Sequence, residues 1–290
     1  MRSSLGIDTS LSADGAKLIG ATRFSSPRFP LAIAFYCETM SKPVPEGWPI
    51  WKLMNQFSRY FAAYTLIHNY FNWRNGGPDL PTLAQLQTRS GLSSRQTINL
   101  VSALKVGRLI EVERFADDRR INLLRPSSEI ILEIGRSILA FIEADDLLRD
   151  RPPVTDQLKL RPELLGEVIC LSGRFIRKHG TLIQPFPRVL SLASRDCGYL
   201  LLVTVMASHY RQLDGKIPIP LSNKALAKRY EISSSHVANV LRDLKIAGDL
   251  EVDRNGRLVR VSSDLVAEFE GWGATQMAHF SALADQVLSG

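Results

Sequence analysis

Two short runs in this chain place hydrogen-bonding side chains where an amphipathic helix begins: Ser94-Arg95-Gln96 with Asn99, and Ser234-Ser235-His236 with Asn239. Their types suit the reading of base edges, because Arg bonds guanine O6 and N7 together, Asn and Gln match adenine, and Ser adapts to either. Residues four apart share a helix face, so Arg95 points with Asn99 and Ser235 with Asn239. Basic residues gather around both runs. Arg89, Lys105, Arg108, Arg114, Arg119, Arg120 and Arg125 surround the first, and Lys224, Lys228, Arg229, Arg242, Lys245, Arg254, Arg257 and Arg260 the second. The formal charge of +7 points the same way, toward a polyanionic partner. The competing reading of the polar runs is a solvated helix face, and that of Arg119 and Arg120 is a local ion pair with Asp117 or Asp118.

The elements that must position these residues can be read around them. Thr82 is placed to cap a short helix from Leu83 to Arg89, Gly91-Leu92 makes a tight turn, and Ser93 caps a second helix from Ser94 to about Gly107. Thr97, Leu100, Val101 and Leu104 fall on the inner face of that second helix. Two short helices joined by such a turn form a helix-turn-helix. The next residues, Leu109 to Arg114, alternate with period two as a half-buried strand does. The charged turn Asp117-Asp118-Arg119-Arg120 leads back into Ile121 to Leu124, which makes a hairpin, or wing. A closing helix starts at Ser127 or Ser128, with Ile131, Ile134, Ile138, Phe141 and Ile142 on one face.

The same parts recur 140 residues later without a gap. Leu86 aligns with Leu226, Arg89 with Arg229, Ser93-Ser94 with Ser233-Ser234, Asn99 with Asn239, Leu104-Lys105 with Leu244-Lys245 and Glu111-Val112 with Glu251-Val252. Such a period fits two whole globular units and is too long for a solenoid repeat. We therefore expect a tail over residues 1–27, a first domain over 28–150 and a second over 151–290. The second recognition helix, Ser234 to Ala247, turns Val237, Val240, Leu241 and Leu244 inward. Its wing turns at Asn255-Gly256, the dipeptide best suited to a two-residue type I′ turn, with Arg254 and Arg257 beside the tip. Upstream, the apolar spacing predicts one long helix from Ile50 to Trp73 and another from Pro187 to Tyr210.

The run from Leu92 to Leu124, with Asp118-Arg119-Arg120 followed by Leu123, Arg125 and the helix-starting Ser127, resembles the winged-helix core of MarR-type regulators. It departs from that pattern at Pro126, at Arg108 and in the shorter second wing. Because members of that family are homodimers whose outer helices pair, the resemblance implies a dimer fused into one chain. The expected fold class is mainly α with small β wings: two tandem winged helix-turn-helix domains packed as a pseudo-two-fold dimer. The expected function is sequence-specific binding of double-stranded DNA in transcriptional regulation, by a monomer acting as a pseudo-dimer on an imperfectly palindromic operator. The alternatives are a plasmid-type replication initiator with tandem winged helices and a winged-helix scaffold that binds protein. The resemblance also implies a pocket for a small aromatic effector, lined from Trp48, Trp51, Phe57, Tyr60, Phe61, Tyr64 and Trp73; the competing reading of that aromatic stripe is core.

Other functions find little support in the chain. Its five histidines, His68, His179, His209, His236 and His279, are scattered without an HExxH or a Cys partner, so no metal site is expected. No nucleophile motif or P-loop is present, and neither enzymatic activity nor a cofactor is expected. Cys37, Cys170 and Cys197 fit reduced, buried thiols. The longest apolar run, from Tyr199 to Ala207, is far short of the roughly 20 residues that cross a bilayer. With no apolar stretch behind Arg2 to act as a secretory signal, a cytoplasmic location without membrane contact is expected.

Overall fold

The computed structural model describes residues 20–43 and 50–290, apart from the side chain of Trp51. The protein is mainly helical, with two small antiparallel hairpins. The first half comprises α1 (Phe29–Met40), α2 (Ile50–Met54), α3 (Phe57–Arg74), α4 (Leu83–Arg89), α5 (Ser94–Val106), β1 (Ile110–Arg114), β2 (Asn122–Pro126) and α6 (Ser128–Arg149). A connecting helix, α7 (Thr155–Leu160), precedes α8 (Pro162–His179), α9 (Pro187–Ala193), α10 (Gly198–Leu213), α11 (Asn223–Tyr230), α12 (Ser234–Ile246), β3 (Leu250–Val252), β4 (Leu258–Val261) and α13 (Ser263–Ser289). The order of α1 to α6 thus recurs in α8 to α13. Prolines sit in the first turns of α1, α8 and α9, where a missing N–H costs nothing.

The halves are held together by exchange of helix contacts. Helix α1 packs on α10 of the other half, and α8 reciprocates on α3. Each of α1 and α8 also packs on the closing helix of its own half, while the closing helices α6 and α13 pack on each other. The apolar stripe of α6 (Ile131, Ile134, Ile138, Phe141 and Ile142) is buried in this arrangement, as are Leu265, Phe269 and Trp272 of α13. Glycines let the helices come close. A Cβ on Gly166 would lie 2.1 Å from Phe71 Cζ, and one on Gly173 would lie 2.4 Å from His68 Nδ1. One polar tie crosses the same seam, His68 Nδ1 meeting the Cys170 carbonyl at 3.0 Å, and within the second half His279 Nε2 of α13 meets Ser172 Oγ of α8 at 2.8 Å. All three cysteines are buried and unbridged, and burial pushes their thiol pKa values up.

Several expectations need correction. Neither long helix is continuous: Asn55-Gln56 separates α2 from α3, and Ser194 to Cys197 separates α9 from α10. The two breaks meet. Cys197 N–H donates to the Asn55 carbonyl at 3.0 Å, and the Gln56 amide donates to the Ser194 carbonyl at 3.0 Å, so each interruption satisfies backbone groups of the other. The strand β1 is buried only at its base, by Leu109 and Ile110, because the hairpin runs out past the core and leaves Val112 exposed. The second hairpin does not turn through a type I′ pair, which would need positive φ at Asn255. Only Gly256 is left-handed there, at φ 76°. Its N–H donates to the Asp253 carbonyl, and the Asp253 carboxylate accepts from the Asn255 and Arg257 N–H groups at 2.8 Å each, closing a three-residue loop with a bulge.

At the N-terminal end of the described chain, residues 20–24 are helical and tied down. Arg23 bonds the fully buried carboxylate of Asp145 at 2.6 Å. The connector after α6 is also held, since Arg151 bridges Asp146 and Asp285. Of the expected tail, residues 1–19 lie outside the described residues.

Candidate nucleic-acid interface

Helices α4 and α5 are capped as their sequences predict, and α11 and α12 repeat the arrangement at positions 140 further on. Thr82 Oγ1 accepts from Gln85 N–H at 3.3 Å and Ser222 Oγ from Ala225 N–H at 3.2 Å. Ser93 and Ser233 accept from the N–H groups of Gln96 and His236 at 3.3 and 3.2 Å. The backbone between the helices has the same form in both halves, with a left-handed residue at Gly91 (φ 71°) and at its counterpart Glu231 (φ 49°). A second left-handed position, after α5 and α12, is held by Arg108 (φ 57°) and Gly248 (φ 73°). A glycine in one half and a residue with a side chain in the other adopt the same left-handed conformation, which costs the second strain, so the surrounding helices dictate it.

The inner faces of α5 and α12 bury Thr97, Leu100, Val101 and Leu104, and Val237, Val240, Leu241 and Leu244. The opposite faces are open. Ser94, Arg95 and Asn99 are exposed on α5, as are Ser234, Ser235 and Asn239 on α12. Two of the expected reading residues are partly committed elsewhere. Gln96 completes a capping box, its Oε1 accepting from Ser93 N–H at 3.1 Å, which leaves its amide NH2 to donate outward. His236 is turned back, with Nε2 2.6 Å from the Asp196 carbonyl before α10.

Basic residues divide into those with partners and those without. Arg89 bonds Asp79 at 2.6 Å, Arg125 bonds Glu113 at 2.7 Å, Arg229 donates to the Ser41 carbonyl at 2.8 Å, and Arg260 faces Glu251 at 3.7 Å. Arg242 lies 3.9 Å from Asp243. By contrast, among the described residues the side chains of Arg95, Lys105, Arg108, Arg114, Arg119, Arg120, Lys224, Lys228, Lys245, Arg254 and Arg257 have no ion-pair partner. In the first hairpin Asp118 uses its carboxylate on the Arg120 backbone N–H, at 2.9 Å, so it shapes the turn and leaves both guanidinium groups free. Free cations on two hairpins and two exposed helix faces can contact phosphates or groove edges.

Sequence reasoning passed over Ile98, which is 45% exposed between Gln96 and Asn99. A search for hydrogen-bonding side chains misses an apolar one, yet such a group suits contact with a thymine methyl. The aromatic stripe also divides. Phe57, Tyr60, Phe61 and Tyr64 line a cavity between the halves, whereas Trp73 packs edge-on against Phe115 at 6.4 Å. Trp48 and the side chain of Trp51 lie outside the described residues. Among the described residues no helix is long and apolar enough to cross a membrane.

No protein-family model, curated protein or solved structure matches the chain.

Proposed function

We propose that this protein is a sequence-specific DNA-binding transcriptional regulator, built as two winged helix-turn-helix domains that form a pseudo-two-fold dimer within one chain. The observation that carries the reading is the repetition of a capped helix pair and hairpin, with exposed polar faces on α5 and α12 and unpaired cations around both. The reciprocal packing of α1 on α10 and of α8 on α3 supports a two-fold relation, because a symmetric dimer makes each contact twice. In this reading α5 and α12 enter successive major grooves, Arg95 and Asn99 read base edges, and Ser235 and Asn239 read them in the second half-site. Arg119 and Arg120, with Arg254 and Arg257, hold phosphates or the minor groove.

A salt titration of binding to a random-sequence duplex tests the electrostatic half of this reading. The slope of log affinity against log salt should be about −0.9 per phosphate contacted, with several contacts. Binding that does not change with salt, or no binding at low salt, would instead leave the winged helices as a protein-binding scaffold.

A further inference from the structure

The two capped helix pairs are not anchored alike. The second, α11 with α12, is tied to the seam between the halves at four points along its length. Near the end of α11, Arg229 Nε donates to the Ser41 carbonyl of the first half at 2.8 Å. Glu231, in the turn between the helices, faces Lys52 of the first half at 3.2 Å. At the start of α12, His236 Nε2 donates to the Asp196 carbonyl at 2.6 Å, and two turns further on Asp243 pairs with Arg195. Arg195 and Asp196 belong to the break between α9 and α10, whose neighbours Ser194 and Cys197 are bonded to Gln56 and Asn55. All four ties therefore lead into the first half, two directly and two through the joined breaks.

The first helix pair cannot repeat them. A shift of 140 residues puts Asn55 and Ala103 where Arg195 and Asp243 stand, and Leu192 and Gly91 where Lys52 and Glu231 stand. Neither couple can form an ion pair. Gln96, in the place of His236, is folded into its own helix cap, and Arg89, in the place of Arg229, bonds Asp79 and Asn69 of its own half. A single tie between partly exposed groups contributes little. Four of them, spread over the last turn of α11, the connecting turn and two turns of α12, restrict rotation of the helix pair as well as its position. The difference lies in side chains, since the backbones of the two pairs share one form.

We propose that Arg195, Arg229 and Lys52 are positioning residues, which hold α12 at a fixed angle to the seam and so set the spacing and rotation between the two half-sites. This rests on the DNA reading above and deepens it, because the second half-site becomes the one from which the register is measured.

Arg195→Gln, Arg229→Gln and their combination are compared with Asp79→Asn, which breaks an ion pair confined to the first half. The first readout contains no DNA. Amide hydrogen exchange in α12 should quicken about threefold in each single variant and about tenfold in the double, with α5 unchanged, while Asp79→Asn should leave α12 as it is in the parent. The second readout uses the duplex that the full chain selects from a random pool, and the same duplex with one base pair inserted between its half-sites, which rotates them apart by about a tenth of a turn. The parent and Asp79→Asn should bind the lengthened duplex about tenfold more weakly or worse, and the double variant about threefold more weakly at most, with Arg195→Gln between them. Arg195→Lys, which keeps the charge, should restore the parent's behaviour in both readouts. Each variant is first shown to be folded by its thermal transition, and Arg195→Gln alone suffices should the double variant fail to fold. Unchanged exchange in α12, or equal quickening in α5, would overturn the tether. Quickened exchange with undiminished sensitivity to the inserted base pair would overturn the positioning role. A parent that selects no duplex refutes the DNA reading instead, and the exchange result then decides the tether by itself.

Discussion

Replacing Gly173 with alanine sets two effects of opposite sign against each other. Gly173 lies inside α8, where alanine should gain about 1 kcal/mol of helix propensity. Against that, its Cβ would stand 2.4 Å from Nδ1, 2.5 Å from Cγ and 2.9 Å from Cβ of His68. His68 has little room to retreat, because it is 2% exposed and its Nδ1 is bonded to the Cys170 carbonyl. Overpacking of a tight core costs about 1–3 kcal/mol, and the strained His68–Cys170 bond contributes about 1 kcal/mol more. The clash should win, with net destabilisation of about 1–3 kcal/mol. For a chain of this size that lowers the thermal midpoint by about 2–4 °C per kcal/mol. Gly271→Ala is the control, since its Cβ would meet only Phe186 Cε1, at 3.3 Å. Thermal unfolding followed by both circular dichroism and tryptophan fluorescence should give one transition that shifts down for Gly173→Ala. A Gly173→Ala protein as stable as the parent, or more so, would refute the close packing of α8 on α3.

Arg95→Ala should cost about 1–3 kcal/mol of discrimination at one base position, whereas Arg119→Ala or Arg120→Ala should weaken binding to all sequences and reduce the salt slope by about 1; competition binding with matched and mutated duplexes separates the two. Burial lowers the pKa of His68 from 6.5 to about 4 and that of His279 to about 3. The unfolded chain therefore takes up these protons first as pH falls below about 6.5, so stability is full above that value and drops on acidification. Between pH 7.5 and 5 the loss is about 2 kcal/mol per histidine, and urea midpoints measured at both values should show a smaller loss in His279→Gln. The three cysteine thiols, buried and shifted upward, should react with a disulfide reagent only as the protein unfolds; rapid labelling of the native protein would place at least one of them at the surface.

The parts of the fold set by local rules were legible in the chain. Caps at Thr82 and Ser93 follow from their hydroxyls and the apolar faces behind them, and the 140-residue shift marks the helix that starts at Ser234 once the first is recognised; the Ser222 cap emerged only from the structure. What the local pattern could not show is where each face finds its partner. The apolar spacing of Met54, Phe57 and Phe61 continues straight through the break at Asn55-Gln56, because that break is created by hydrogen bonds to the Ser194–Cys197 segment of the other half. Val112 alternates correctly yet is exposed, since alternation gives the face of a strand and not how far the core extends beneath it. In the candidate interface, residue types nominated Gln96 and His236 as readers, but both occupy the third position of a capped helix. There the first folds into the cap and the second reaches back to Asp196.

Selection of bound sequences from a random duplex pool, with the stoichiometry of the selected complex, tests the central claim most directly. The outer faces of α5 and α12 differ at Arg95-Gln96 against Ser235-His236 and agree at Asn99 and Asn239. The account predicts two related but unequal half-sites about one helical turn apart, bound by a single chain. A perfectly palindromic consensus bound by two chains, or a pool without enrichment, would contradict it.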